Sequence, residues 1–507
     1  MTEASKFLAT QYHQRTKYFP DALPQGGLDW AQQPSVYKHY PLGSRWDLQA
    51  YLRPIDQASA ADRWWQRLSR LLFHSYGLTA KMTAAGGETI YLRASPSAGA
   101  LYPAEIYLIS RGTSHLPAGL YNYQVKTHSL VRFWDDHGWQ ALQEACFWHP
   151  ALAHTQLALV TSVIFQRSAW RYQARAYRRV CLDTGHLLGN IELAASMCDY
   201  RPHLIGGFAD GAVNDLFYLD GKEESAIAVL ALADLLQVEQ NLPYGCTALA
   251  SSAPPPVTAP ADDQLLASLH QASLIELQPD RSLEQTQVPE PSPAPSEYAF
   301  PFGDRCSTAV APLAWGEGLE RLAAATMYRR STRRYRGTAI GLDPLRQLLD
   351  FTYHPEHYQD QGFEPHPDYF DLELIQTFVV VLAVNGLDVG CYYYTPASAS
   401  LRQVRFKLFR QELHHLCLGQ AIGRDASAVV IHTANLTRAV ERYGDRAYRY
   451  LHMDAGHLGQ RLNLAATCLK LGVSGIAGFF DDQVNDVLGI PTDEAVLYLT
   501  TVGVPLA

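Results

Sequence analysis

Eight cysteines are spread over the 507 residues, at Cys146, Cys181, Cys198, Cys246, Cys306, Cys391, Cys417 and Cys468, and no two form a C-x-x-C pair. That spacing excludes a zinc ribbon and a thioredoxin-type motif, and eight thiols in so long a chain make no disulfide framework. Positive charge is also short: 41 Lys and Arg stand against 50 Asp and Glu, a formal net charge of −9. A mildly acidic chain with dispersed charge is a poor general nucleic-acid binder, although one local basic pocket for a phosphate is compatible with it. Long apolar runs are missing. A run such as Phe378–Val384 falls far short of the ~20 residues that span a bilayer. The opening MTEASKFLATQYHQR lacks the apolar core and small-residue cleavage site of a signal peptide. These absences leave a soluble, cytoplasmic protein. With 47% hydrophobic and 18% charged residues the chain has globular composition, and its length suits two to four domains of roughly 100–200 residues.

What the sequence does contain is a repeat. RYQARAYRRVCLDTGHLLGNIELAAS (171–196) returns as RYGDRAYRYLHMDAGHLGQRLNLAAT (442–467), an offset of 271 residues. The same offset aligns GGFADGAVNDLFYL (206–219) with AGFFDDQVNDVLGI (477–490), and Gly119, Tyr121 and Tyr123 with Gly390, Tyr392 and Tyr394. A register held over this distance, at a period far too long for a solenoid, marks a duplicated domain. The GHL segments carry apolar residues at three- and four-residue steps without proline and predict helices. AEIYLIS (104–110) and TFVVVLAV (377–384) predict buried strands, each followed by a Gly-Tyr-rich second strand. The expected fold is an α+β domain present twice. Two proline-rich stretches, APPPVTAP (253–260) and PEPSPAPSE (289–297), flank the amphipathic DDQLLASLHQASLIEL. Such stretches are semi-extended spacers, so the division expected is 1–250, a linker at 251–300, and 301–507.

Four motifs can carry chemistry. RASPSAGALYPAEIYL (Arg93 to Leu108) places Ser95, Pro96, Ser97, Ala98, Gly99 and Ala100 before a buried strand. A loop of small residues lets backbone N–H groups approach a flat or anionic ligand; it also serves as a plain tight turn. YRRSTRRYRG (Tyr328 to Gly337) gathers Arg329, Arg330, Arg333, Arg334 and Arg336 around Ser331 and Thr332, a phosphate cradle or a solvated basic turn. GGF-x-D (206–210) and AGF-x-D (477–481), which includes Ala477 and Gly478, permit close backbone approach ahead of a Val-Asn-Asp helix start. Arg171–Tyr172 and Arg442–Tyr443 pair a phenol with a cation that lowers its pKa for proton transfer, or are packing and surface charge. His186 and His457, one per copy, make no metal site and read as buried, hydrogen-bonded histidines.

The order and spacing of SPSAGALYPAEIYL, YRRSTRRYRG, RY-x-x-RAYR…D-x-GHL and G-x-x-GF-x-D-x-x-VND resemble the nitroreductase fold family, specifically its SagB/ThcOx-type dehydrogenases. YHQRTKYFP (12–20) is similar to the His-x-x-Thr-Lys opening of that group. The resemblance implies an α+β sandwich that works as an intertwined dimer with FMN at the interface, supplied here by one chain as a pseudo-dimer. It implies that Arg329, Arg330, Ser331 and Arg333 hold the FMN phosphate and ribityl. The loop of Pro96, Ser97, Ala98, Gly99 and Ala100, with Arg93 before it and Ala477 and Gly478 from the other copy, would lie against the flavin.

The copies are complementary. The first has PSAGALYP but LRPID (52–56) where the second has RRSTR; the second has DLELIQT (371–377) where the first has the loop. One FMN site built from both halves, and one lost site, follow. The family's Lys-Tyr pair is replaced by Arg171–Tyr172 and Arg442–Tyr443. Arginine stays protonated and is a poor base, which leaves Tyr172 or Tyr443. Tyr172, in the half with the loop, is preferred, with Arg171 favouring its phenolate. By resemblance the reaction is FMN-dependent oxidation of azoline rings, or a related bond, in a peptide or small-molecule substrate, reoxidised by oxygen, with a cyclodehydratase as partner. The alternatives are an NAD(P)H-dependent nitro- or quinone-reductase, which in this family needs no nucleotide-binding fingerprint, and a flavin-free peptide-binding scaffold.

Overall fold

The apolar, β-branched runs of the two copies form two sheets of one design. The computed structural model describes residues 7–23, 27–83, 87, 89–136, 138–240, 245, 247–252, 260–277 and 305–506. The first sheet holds β1 (Ser44–Asp47), β2 (Ala104–Ser110), β3 (Gly119–Gln124), β4 (Ser129–Trp134), β5 (Leu157–Ile164), β6 (Tyr200–Ile205) and β7 (Glu224–Asp234). The second holds β8 (Arg305–Ser307), β9 (Gln376–Val381), β10 (Gly390–Thr395), β11 (Ser400–Arg405), β12 (Ala428–Asn435), β13 (Gly472–Ile476) and β14 (Glu494–Gly503). Strand order is β1-β4-β3-β2-β5-β7-β6 in one and β8-β11-β10-β9-β12-β14-β13 in the other, the same permutation. The duplication is therefore of a whole topology, and the chain is a tandem α+β pseudo-dimer.

Two long helices, Ala176–Ser196 and Ala447–Cys468, carry the GHL segments and are buried along nearly their whole length. A helix buried all round must be packed on every side, and here much of that packing is the other helix. They touch at their repeated glycines: a β-carbon on Gly185 would lie 2.1 Å from the Met453 carbonyl oxygen, and one on Gly456 would lie 2.3 Å from that of Leu182. The glycine of GHL is thus the point where the halves meet backbone to backbone.

The halves are latched twice by buried ion pairs. Arg175 and Arg178 donate to Asp481 at 2.9 and 2.6 Å, and Arg446 and Arg449 donate to Asp210 at 2.5 and 2.9 Å. A buried charge costs several kcal/mol unless paired and hydrogen-bonded, so each GF-x-D aspartate needs the R-x-x-R of the opposite copy. The opening helix Leu8–Arg15 also crosses over: the Ala9 N–H donates to Asp445 at 2.6 Å, and Lys17 pairs with Asp482 at 2.7 Å. The carbonyls of His13 and Thr16 accept from Arg178 and Arg175.

Most of the two proline-rich stretches lies outside the described residues. Between them the amphipathic stretch forms a helix, Leu265–Ala272, that buries Leu265, Leu269 and Ala272, and the Ile275 N–H donates to Asp210. The seven described cysteines are free thiols; Cys246 lies outside the described residues. Among the described residues no helix is long and apolar enough to cross a membrane.

Candidate active site

A cavity of about 540 Å³ opens where the two halves meet, within the size range of small-ligand sites. The first half gives it the loop Pro96–Ser97–Ala98–Gly99 and, from the helical side, Arg171, Tyr172, Arg179, Asp183 and His186. The second half gives Ser331, Arg333, Ala477, Gly478 and Tyr498.

Asp183, one turn after Arg179 on the central helix, anchors the loop. It accepts from the Ser97 hydroxyl at 2.5 Å and the Ala98 N–H at 3.1 Å, while the Tyr102 N–H donates to Ser97 Oγ at 2.8 Å. Burial pushes the Asp183 carboxyl up to about 7, against the opposing pull of those donors and of Arg179. Tyr172 supports the other side of the loop: a β-carbon on Gly99 would stand 2.9 Å from its hydroxyl. The Arg179 guanidinium lies over the Tyr172 ring, 3.8 Å from its centroid. Three guanidinium groups, Arg171, Arg179 and Arg333, line the cavity against one carboxylate, an electropositive balance suited to an anion. Arg179 Nε and Arg329 Nη1 are buried with no hydrogen-bond partner among the described residues.

Of the residues singled out in the sequence, Pro96, Ser97, Ala98, Gly99, Arg171, Tyr172, Ser331, Arg333, Ala477 and Gly478 come together in this cavity. Six do not line it. Arg93 is enclosed by the rings of Tyr37, Tyr76 and Tyr102 and donates to the Val36 carbonyl, which holds it inside the first half and out of the cavity lining. Ala100 follows the loop outside the lining. Arg329 is turned back to donate to the Ala94 carbonyl at 3.0 Å, tying the second half's turn to the end of a short strand, Thr89–Arg93, that leads into the first half's loop. Arg330 donates to the carbonyls of Met327, Arg329 and Thr79. Arg442 and Tyr443 both bind Asp371, at 2.8 and 3.0 Å, away from the cavity. A further correction concerns Tyr172: burial raises its phenol above the ordinary value and outweighs Arg179 and Arg171, so the group is a protonated phenol at neutral pH and not a phenolate.

The matching place across the pseudo-twofold axis is filled by the chain itself. Asp454 repeats the anchor of Asp183, accepting from the Phe370 and Asp371 N–H groups at 3.0 and 2.8 Å. Residues 247–252 then run where the first half's cavity lies open. The Gly206 and Gly207 N–H groups donate to the Thr247 carbonyl at 2.5 and 2.6 Å, Leu249 packs on Gly207, and the Ser251 N–H donates to the Tyr443 carbonyl at 3.0 Å. Tyr450 stands where the first copy has Arg179, and its hydroxyl lies 3.0 Å from the carbonyl oxygens of both Gly206 and Leu249, between which its one proton is shared.

Sequence reasoning missed Arg179, Asp183, His186 and Tyr498 as cavity residues. Arg179 had a signal, since the repeat puts Tyr450 at its place. Asp183 stood inside the repeated D-x-GHL motif with no role assigned to it, and Tyr498 lies on β14 with no motif around it. His186 is buried and hydrogen-bonded, as read, but it also faces the cavity.

The model of the nitroreductase family matches residues 77–233 and 326–504, and the chain belongs to that family of oxidoreductases. A crystal structure from Anabaena variabilis, provisionally named a nitroreductase, is 57% identical, covers 99% of this chain and all of its own, and superposes with a TM-score of 0.91. A protein of Methanocaldococcus jannaschii that carries the same provisional name is 32% identical over 183 residues, 36% of this chain and 90% of that one. The microcin B17-processing protein McbC of Escherichia coli is 27% identical over 158 residues; this is 28% of the chain and about half, 54%, of McbC.

Proposed function

We propose that the chain, organised as units 1–250 and 301–507 joined by 251–300, is an FMN-dependent oxidoreductase with one flavin site built from both halves. The observation that carries this is the composite cavity: the small-residue loop of one half faces Ser331, Arg333 and Gly478 of the other. The residues fit the group. Ser331, Arg333 and Arg179 would receive the phosphate, and the unpartnered Arg179 Nε gives it a buried donor. The loop at Pro96–Gly99, anchored by Asp183, offers a face without bulky side chains. FMN supplies two-electron redox chemistry when bound. The chain's residues orient the substrate and take up the released proton: Tyr172, protonated at its phenol oxygen, donates a hydrogen bond that orients the substrate, and Asp183, the carboxyl of the cavity that changes charge near neutrality, is the group able to accept the proton lost from the substrate.

The reaction proposed is SagB-type oxidation of an azoline, or a related bond, in a peptide or peptide-derived substrate, in the cytoplasm and beside a cyclodehydratase. Similarity to a protein named for processing microcin B17 supports this class over a nitro- or quinone-reductase. The test is anaerobic reduction of the flavin-loaded chain by a peptide azoline and, separately, by NADPH. Rapid bleaching by the azoline alone is expected; bleaching by NADPH alone assigns the reductase class instead. Within that assay Tyr172→Phe should keep its flavin and slow substrate-dependent reduction roughly tenfold, the worth of one hydrogen bond donated by the protonated phenol to orient the substrate. Tyr443→Phe, at the filled place, should leave the rate unchanged.

A further inference from the structure

One cavity residue has no counterpart in the repeat. Sheet register pairs His432 with Tyr498 in the second half and Thr161 with Ala228 in the first, so the position matching Tyr498 is an alanine. Tyr498 reaches the cavity because Gly475 on the neighbouring strand makes room: a β-carbon there would lie 1.6 Å from the Tyr498 hydroxyl. The position matching Gly475 is Leu204. Tyr and Gly thus occur together only on the side where the cavity is open.

Behind Tyr498 runs a buried chain of hydrogen bonds that crosses between the halves three times and ends in the first. The Tyr498 hydroxyl is 2.9 Å from His186 Nε2, and His186 Nδ1 is 3.0 Å from Gln460 Oε1. Gln460 Nε2 donates to Asn190 Oδ1 at 2.5 Å, and Asn190 Nδ2 donates to the Ser75 carbonyl at 3.0 Å. Ser75 lies in the last turn of the helix Ala60–Tyr76, where carbonyls outrun their helical donors. A carbonyl only accepts, so the direction of every link is fixed from this end. Asn190 must turn its NH₂ to Ser75 and its oxygen to Gln460; Gln460 must then turn its oxygen to His186. Reversing the amides would set two acceptors 3.0 Å apart at Ser75. His186 therefore carries its proton on Nδ1, and its bare Nε2 accepts from Tyr498. Burial keeps the ring neutral, its pKa lowered to about 3.

We infer that Tyr498 is a built-in hydrogen-bond acceptor of the cavity: its one proton is committed to His186, so its free lone pairs recognise an N–H or O–H donor on the bound molecule. This rests on the flavin reading for the identity of that molecule, since the isoalloxazine N–H and the ribityl hydroxyls are such donors. His186, Gln460 and Asn190 are positioning residues.

The experiment has two arms on the full chain. In the first, ¹⁵N-histidine NMR, with His186→Gln to assign the signal, should show the His186 proton on Nδ1. Tyr498→Phe should shift the Nε2 resonance, and Gln460→Met, which leaves Tyr498 in place, should let both tautomers appear. A proton on Nε2 in the unsubstituted chain, or a tautomer indifferent to Gln460, overturns the inference. In the second, FMN titration of Tyr498→Phe should show binding roughly two- to tenfold weaker, the worth of one ordinary hydrogen bond, with a shifted flavin spectrum. Equal affinity with an unchanged spectrum overturns the recognition role. If the unsubstituted chain binds no FMN, the flavin reading falls and the recognition role with it, while the first arm still decides the polarity of the relay.

Discussion

Arg179 and Tyr450 occupy one position of the repeat and do opposite work. The arginine stacks on Tyr172 and keeps a cavity electropositive; the tyrosine hydrogen-bonds to the segment that fills the matching place. The same reading makes Arg333 a phosphate contact. Losing one charge-assisted hydrogen bond costs about 1.5–3 kcal/mol, so Arg333→Ala should weaken FMN roughly tenfold or more; an unchanged dissociation constant by fluorescence titration would put the phosphate elsewhere. Asp183 gives a pH signature. Its carboxyl is raised from 3.8 to about 7 in the folded chain, so its neutral form is favoured by folding. The stability this contributes is complete below about pH 4 and is lost as pH rises through about 7. Asp183→Asn stays uncharged, so its unfolding free energy should fall less than that of the unsubstituted chain between pH 5 and pH 8. Urea unfolding at both pH values checks this; parallel losses would mean that Asp183 is charged in both states. Asp454, raised to about 7 in the same way, is present in both proteins and does not mask the difference.

At the scale of elements, the repeat was legible because period and register survive in the sequence. The GHL helices and the strand at 104–110 fall where apolar spacing put them, and the loop before that strand where small residues did; the strand expected at 377–384 is Gln376–Val381, three residues shorter at its end. What the sequence did not show is which elements meet across the halves. R-x-x-R and GF-x-D stand some 30 residues apart within a copy and look like a basic helix start and a turn; only the crossing of the helices turns each into the other copy's partner. Arg93, Arg329 and Arg330 misled because a guanidinium is equally able to bind a phosphate, a carbonyl or an aromatic face, and composition does not say which is near. The latches carry their own prediction. Asp210→Asn leaves Arg446 and Arg449 buried without a counter-charge, a change that typically costs 3–5 kcal/mol. Because burial would otherwise raise the Asp210 carboxyl and the two arginines hold it below its ordinary value, the latch is strongest above about pH 4 and is lost as pH falls through its lowered pKa. Chemical denaturation at neutral pH should show a loss of several kcal/mol; a loss below about 1 kcal/mol would contradict the latch.

For the molecule as a whole, duplication has been used to make two unlike places out of one design. The two sheets share a strand order, the two long helices share a glycine contact, and the two latches are mutual. Against that symmetry, one place is open, electropositive and lined from both halves, and the other is closed by residues 247–252. The central claim is that the open place alone holds flavin. The most direct measurement is the ratio of released FMN to polypeptide in the purified full-length chain after saturation with FMN and removal of the excess. The account predicts one FMN per chain; two per chain, or none retained, would contradict it.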